Sequence, residues 1–401
     1  MSLMRIRHKK RQKKILLLVE STAYYGRSVI KGIDRYAAQN DWEITFEPRG
    51  VEDPLPRWLE FWDGDGVISR LVNLDAVERL QRTGLPVVRL AGNDTNFKLD
   101  VCVHERLLAK MAADHLLGCG YPNIAYYAYG TSWWSVNRGN VFAEEIKERG
   151  YECFCFQPIS EDMNAFTTQW SFDERKRLRD WLLRLPKPVA IFTATDTHAS
   201  EVLLVCRQND VSVPNEVAVL GIDDDPWFCG YLSPTLSSID SNGFQIGWEG
   251  AALLADLLKG RPHPVEPIVV PPLHVTIRQS TDAVAAPDPD FSAALRFLRR
   301  SDTLCLSVAE LVQHVGLSQK TLERRFRRYL GRTPEQEIMR LRIERSKVLL
   351  RETSFSVESL GFKTGFSSQG HFIQTFKRAV GMTPGFYRLQ AENRKQDHLE
   401  R

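Results

Sequence analysis

The stretch Ser356-Val-Glu-Ser-Leu-Gly-Phe-Lys-Thr-Gly-Phe-Ser-Ser-Gln-Gly-His-Phe-Ile-Gln-Thr-Phe-Lys-Arg-Ala-Val-Gly-Met-Thr-Pro-Gly-Phe-Tyr-Arg388 reads as helix, tight glycine turn, helix. An earlier copy precedes it. Ser307-Val-Ala-Glu-Leu311 parallels Ser356–Leu360, and Gly316-Leu-Ser318 parallels Gly365-Phe-Ser367, at an offset of 49 residues. Phe326 parallels Phe376, and Gly331-Arg-Thr-Pro334 parallels Gly381-Met-Thr-Pro384, at an offset of 50. One residue is therefore expected to be inserted within the second helix of the later copy.

Each copy has a local physical logic. Ser307 and Ser356 have hydroxyls that can accept from the free N–H groups opening a helix. Gly316 and Gly365 allow the left-handed backbone that stops it. Ser318 and Ser367 are expected to cap a second helix, with Leu322 and Phe326, or Phe372 and Phe376, turned inward at helical spacing. This unit places its second helix in a DNA major groove. Pro334 opens a long helix, Glu335–Arg351, that spaces the two units. The outward positions of the first reading helix are Gln319, Lys320, Glu323, Arg324 and Arg327. Those of the second are Ser368, Gln369, His371, Gln374 and Lys377. Gln and Arg suit adenine and guanine edges, while Lys, Ser and His more often meet phosphates. The bland alternative is a solvated helix face carrying Arg324, Arg325, Arg327 and Arg328; the doubled unit around them argues for DNA.

The charge is distributed to match. The chain carries +3 overall. From Phe291 to Arg401 there are 21 Lys and Arg against 11 Asp and Glu, a surplus of +10, and the remainder carries −7. Only the C-terminal part is built to meet a polyanion. At 401 residues the chain exceeds one ordinary core. Its 43% hydrophobic and 26% charged residues are those of a globular protein. The longest apolar run near the start, Ile15–Val19, is too short for a membrane span or a signal peptide, so the expected location is cytoplasmic, with no membrane partner. The seven cysteines show no CxxC spacing, and no metal or cofactor is expected. Cys153 and Cys155 would share one strand face, where core thiols are expected over a metal or a disulfide.

Residues 1–13 form a basic tail expected to be disordered and solvated, with contact to DNA phosphates as the alternative. From Lys14 to about 280, strands alternate with amphipathic helices, the pattern of parallel sheets covered by helices. The first set runs Ile15–Val19, Arg27–Ala38, Trp42–Phe46, Gly66–Ile68, Leu74–Gln81 and Val87–Leu90. A second begins near Val101, with a helix over His104–Leu117, a strand over Ile124–Tyr127 and a helix over Val141–Glu148. It continues through Tyr151–Phe156, Phe172–Leu183, Val189–Thr193, Thr197–Gln208 and Val217–Ile222. Leu236–Ile239, Gly243–Leu258 and Ile268–Thr276 are then expected to return to the first sheet. The expected architecture is an α/β two-lobed domain of two doubly wound parallel sheets over 14–280, a Pro-containing linker over 281–290, and an all-α domain with two helix-turn-helix units over 291–401.

Residues 356–388 resemble the signature of the AraC family of transcription regulators, with Gly361 departing where that family usually has alanine. The front domain resembles the periplasmic-binding-protein-like sensor of LacI/GalR repressors. The resemblance rests on Ala112-Ala-Asp-His-Leu-Leu-Gly-Cys-Gly-Tyr-Pro-Asn-Ile-Ala125, Ala190-Ile-Phe-Thr-Ala-Thr-Asp196, Val213-Pro-Asn-Glu-Val-Ala-Val-Leu-Gly-Ile-Asp-Asp224 and Leu236-Ser-Ser-Ile-Asp240. It implies a small sugar between the lobes, with D-xylose the leading candidate, and double-stranded DNA at the C-terminal units. It also implies a homodimer, and RNA polymerase as a further partner of an activator. His104-Glu105 stands where such sensors commonly have Asp-Asn.

Ligands of parallel sheets bind beyond the carboxyl ends of the strands. That rule selects Ser21, Tyr25, Arg27 and Arg70 in the first lobe. In the second it selects Trp133, Trp134, Arg138, Asp196, Asp223 and Asp224. A sugar needs an aromatic plate against its C–H face, with carboxylates and guanidinium groups for its hydroxyls. The alternatives are core tryptophans, Asp196 as an N-cap, and Asp223-Asp224-Asp225 as a solvated turn or a Mg²⁺ site. The rival functions are the same design sensing another sugar or a nucleoside, and an enzyme acting on a sugar. No GxGxxG, GxxxxGK[ST] or GxSxG pattern supports the enzyme.

Overall fold

The computed structural model describes residues 11–50, 53–71, 74–90, 99–127, 133–156, 172–262, 264, 266–282, 288–299 and 307–388. The basic tail over 1–10 and the centre of the expected linker, 283–287, lie outside the described residues. The chain divides into two compact units, one running to Leu116 and from Tyr121 to Ala283, the other comprising Leu117–Gly120 and Val284 onward.

In the first unit, β1 (Lys13–Leu18) is followed by α1 (Tyr24–Gln39), β2 (Trp42–Phe46), β3 (Gly66–Ser69), α2 (Leu74–Gln81), β4 (Val87–Arg89) and β5 (Val101–Val103). The chain continues through α3 (Glu105–Gly118), β6 (Asn123–Tyr127), α4 (Trp133–Glu148), β7 (Cys153–Phe156), α5 (Phe172–Arg184), β8 (Val189–Thr193), α6 (Asp196–Gln208), β9 (Val217–Ile222) and α7 (Pro226–Tyr231). It closes with β10 (Ser237–Ile239), α8 (Gly243–Leu258), β11 (Ile268–Val270) and β12 (Val275–Thr276).

One lobe holds the four-stranded sheet β2-β1-β3-β4, and the other the six-stranded sheet β12-β10-β9-β8-β6-β7. The pairings are parallel except β10 with β12. The strands buried on both faces are nearly continuous apolar runs, as is usual for parallel strands: Ile15–Leu18 and all of β8 and β9 are buried. The helices α1 and α8 approach so closely that a Cβ on Gly247 would lie 1.9 Å from the Val29 carbonyl oxygen. Only glycine permits that contact.

Several expectations change. Val101–Val103 belongs to the first lobe rather than the second, since β5 pairs with β11 and Asp100 bridges Arg89 at the end of β4. Leu236–Ile239 does not return to the first sheet: β10 pairs with β9 and β12 in the second lobe. The extended piece Ile268–Thr276 is split, β11 serving one lobe and β12 the other. The chain thus passes between lobes after β5, after β10 and after β11. The helix expected over Val141–Glu148 begins two turns earlier, at Trp133. Lys13, assigned to the tail, opens β1 and pairs with Asp65 at 2.8 Å. Thr281, assigned to the linker, is buried and bonded to His115 and Ser237.

The second unit holds α9 (Pro289–Arg299), α10 (Val308–Val315), α11 (Gln319–Leu330), α12 (Pro334–Glu352), α13 (Val357–Lys363) and α14 (Gln369–Val380). Helix α12 serves two cores: Ile338 and Leu341 pack with Leu311, Leu322 and Phe326, while Ile343 and Leu350 pack with Leu360, Phe372 and Phe376. Ser307 with Glu310, and Thr333 with Gln336, form reciprocal capping boxes. Gly316 stops α10 at φ +72°.

The repeat contains one correction. Ser368, not Ser367, caps α14, its hydroxyl accepting the His371 N–H at 3.2 Å. Helices α11 and α14 are each 12 residues long. The inserted residue therefore lies in the turn before the second reading helix, not within it.

Candidate functional site

Glu20 follows β1 and is 2% exposed. It meets Arg70, beyond β3, with Arg70 Nη1 donating to Oε1 at 2.5 Å. The Arg70 guanidinium stands 4.7 Å from the centre of the Tyr25 ring, on the first turn of α1. Burial pushes the Tyr25 phenol up, so it remains a neutral donor. Glu20 Oε2 and Arg70 Nε are buried without a hydrogen-bond partner. An acceptor and a donor are thus left free at one end of the cavity.

The second lobe mirrors this arrangement. Arg138, one turn beyond Trp134 on α4, forks onto Glu105: Nε donates to Oε2 at 2.9 Å and Nη2 to Oε1 at 2.8 Å. Its Nη1 donates to the Ala194 carbonyl at 2.8 Å, and its guanidinium lies 5.5 Å from the Trp134 ring centre. Burial opposes the Arg138 charge, but the Glu105 carboxylate outweighs it and holds the pKa above the ordinary value. Asp223 follows β9 in a left-handed conformation at φ +104° and accepts from Ser241 Oγ at 3.0 Å. Loss of water pushes its carboxyl up to about 6, against the pull of Arg138, Ser241 and Arg70.

These groups line one cavity between the lobes, together with Ala23, Leu90, Cys102, Val103, Asn137 and Thr195. It spans about 760 Å³ of empty space, part of it open to solvent. Trp133 is 49% exposed on its wall, so it is not a core residue. The set offers ring faces, two guanidinium forks and three carboxylates, which together suit the C–H and O–H groups of a polyol.

Of the residues expected here, Tyr25, Arg70, Trp133, Trp134, Arg138 and Asp223 line the cavity. Ser21, Arg27, Asp196 and Asp224 do not. Ser21 donates its N–H to the Arg49 carbonyl at 3.0 Å. Arg27 turns to the Ser21 and Thr22 carbonyls and pairs across the lobes with Asp225 at 3.5 Å. Asp196 is buried and accepts from the Asp225 N–H at 3.0 Å, Ser238 Oγ at 2.5 Å and Cys229 Sγ at 3.2 Å. It holds the turn after β9 in place. Asp196 is also not the cap of α6, a part taken by Thr195. Asp224 pairs with Arg278 at 2.8 Å and accepts from Thr276 Oγ1 at 2.6 Å. Glu20, Glu105, Asn137 and Thr195 are the cavity residues that the strand-end rule missed. Glu105 carried a signal, being one of the two residues that depart from the sensor pattern. Among the described residues no three His, Cys, Asp or Glu side chains are grouped to hold a metal ion.

In the C-terminal unit, Gln319, Lys320, Arg324 and Arg327 are exposed on α11, with Glu323 half-buried and accepting from Gln319 at 3.0 Å. Arg325 turns away from that face to Asp288 at 3.0 Å and Asp290 at 2.8 Å. Gln369, His371, Gln374 and Lys377 are exposed on α14, and Ser368 is its cap. Among the described residues, Lys320, Arg324 and Arg327 form no salt bridge with the carboxylates that hold Arg325.

Three family descriptions match successive parts of the chain: the XylR N-terminal domain over residues 14–101, the periplasmic binding protein-like domain over 113–281, and a helix-turn-helix domain over 311–390. The chain is 30% identical over 387 residues to the xylose operon regulatory protein of Haemophilus influenzae, covering 94% of this chain and 98% of that one. It is 30% identical over 388 residues to the protein of that description from Escherichia coli K12, covering 94% and 96%. A solved structure described as the xylose-binding transcription activator xylR matches with a TM-score of 0.61 at 28% identity, over 94% of this chain and 98% of that one.

Proposed function

The chain belongs to the family of xylose operon regulatory proteins, and on that premise we propose that it is an activator whose effector is D-xylose bound between the two lobes. The cavity carries the proposal. Trp133 and Trp134 supply the plate, Glu20 Oε2 and Arg70 Nε the unmet acceptor and donor, and Arg138 with Asp223 the opposite wall. The sugar is a signal here rather than a substrate. Closure of the lobes on it would change how the DNA-reading helices of a homodimer engage an operator, and so how RNA polymerase is recruited. Gln319, Lys320, Arg324 and Arg327, with Gln369, His371, Gln374 and Lys377, are the proposed contacts to DNA.

A screen of D-xylose, other pentoses, hexoses and nucleosides tests the effector, read by tryptophan fluorescence and thermal unfolding. At a hundredfold excess over Kd, a bound ligand stabilises by about 2.7 kcal/mol. D-xylose is expected to raise the midpoint and quench or shift the Trp133/Trp134 emission. Another sugar or a nucleoside doing so in its place would transfer the assignment to that ligand; Glu105, which fills the cavity where the sensor pattern departs, is the observation favouring this second reading.

A further inference from the structure

Strand β7 is the outer edge of the six-stranded sheet, paired only with β6 among the described residues. Successive side chains of a strand alternate between faces, so Cys153 and Cys155 share one. They are not core thiols: Cys155 is exposed and Cys153 partly so, whereas Cys102, Cys119, Cys206 and Cys229 are buried. Cys155 Sγ lies 3.8 Å from Cys153 Sγ.

That separation has a chemical meaning. Zn²⁺ binds thiolate sulfur at about 2.3 Å in tetrahedral geometry, and two ligands of such a tetrahedron stand about 3.8 Å apart. A linear ion would hold them at twice the bond length, about 4.6 Å. A disulfide suits the pair less well. Residues two apart on a strand have Cα atoms about 6.6 Å apart, at the far end of the range that a disulfide spans without strain.

We propose that Cys153 and Cys155 form a two-thiolate site for a soft tetrahedral cation of the Zn²⁺ or Cd²⁺ class. The cation forms two metal–sulfur bonds, two thiol protons leave to solvent, and water fills the remaining positions; nothing is oxidised or reduced. Thiolate is the ligand that selects such ions over Mg²⁺ or Ca²⁺. With two protein ligands the site is labile and open to exchange with the medium.

The test is a Cd²⁺ titration of the reduced full chain, followed by thiolate-to-metal charge-transfer absorbance. One equivalent is expected to saturate it. Cys153→Ser and Cys155→Ser should each abolish the band, while Cys305→Ser, at a position outside the described residues, should leave it intact. A parent chain without a saturable band, a band that survives either strand variant, or one lost with Cys305 overturns the site. A second measurement does not depend on the variants folding. Cd²⁺ should protect Cys153 and Cys155 together from alkylation in the parent chain, mapped by peptide mass; protection of neither, or of one alone, overturns it. Zn²⁺ run as a competitor identifies which ion of the class binds more tightly.

Discussion

Asp223 faces Arg138, Arg70, Glu20 and the Ser241 hydroxyl, and its carboxyl titrates near 6 because it has lost water. The sign of the consequence follows from linkage. The folded chain holds this proton more tightly than the unfolded one, so stability from the group is greatest at acid pH and falls as pH rises from about 4 to about 6. Sugar binding runs the other way. A hydroxyl that donates to Asp223 needs the ionised carboxylate, so affinity should rise through pH 6. One pH unit below the pKa, the sugar should bind roughly tenfold more weakly than at neutral pH. Calorimetric titration at pH 5 and 7.5 checks this, and Asp223→Asn should flatten the profile. Equal affinity at both pH values would remove Asp223 from the contact set. Six cavity residues were legible in the sequence because strand ends are marked by the change from apolar run to polar residue. Asp196 and Asp224 follow strands equally well, but a carboxylate beside a serine hydroxyl and a free backbone N–H bonds to its own protein first. Sequence order does not show which partner is nearer.

At the scale of elements, the local signals served well where a single run of residues decides the outcome. Trp42–Phe46, Leu74–Gln81, Val189–Thr193, Val217–Ile222 and Gly243–Leu258 have the bounds that their apolar periods imply. The lobe to which β5, β10 and β12 belong was not legible, because pairing with a strand tens of residues away leaves no local mark. The reading helices show both sides. Gly316 and Ser318 gave the first turn correctly, yet in the second copy two adjacent serines compete for one cap. The structure gives it to Ser368, whose hydroxyl accepts from His371. Ser368→Ala should therefore cost about 1 kcal/mol, while Ser367→Ala should stay within roughly 0.5 kcal/mol, both by chemical denaturation of the full chain. The reverse order would return the insertion to the helix itself.

For the whole molecule, the decisive quantity is the division of charge, +10 over 291–401 against −7 over the rest. Apart from the basic tail over 1–13, the front part is acidic and disfavours a polyanion, so the salt dependence of operator affinity is expected to come mainly from the C-terminal unit. Each phosphate contact releases counterions and contributes about 0.9 to the slope of log K against log salt. The two reading helices divide this work unequally. On α11 the exposed Lys320, Arg324 and Arg327 are cationic, whereas α14 exposes Gln369, His371 and Gln374 before Lys377. Lys377→Ala should lower the slope by about 0.9 and weaken all DNA sequences alike. Gln374→Ala should leave the slope unchanged and relax the preference at one base pair, at a cost of about 1–3 kcal/mol on the preferred operator. Arg324→Ala should show both effects if its guanidinium reads guanine while standing between phosphates. Fluorescence anisotropy on operator and scrambled duplexes at several salt concentrations measures slope and discrimination together. If Gln374→Ala changes the slope, or Lys377→Ala changes discrimination, the assignment of bases to glutamine and phosphates to lysine on α14 fails, while the placement of DNA on these helices stands or falls with Arg324.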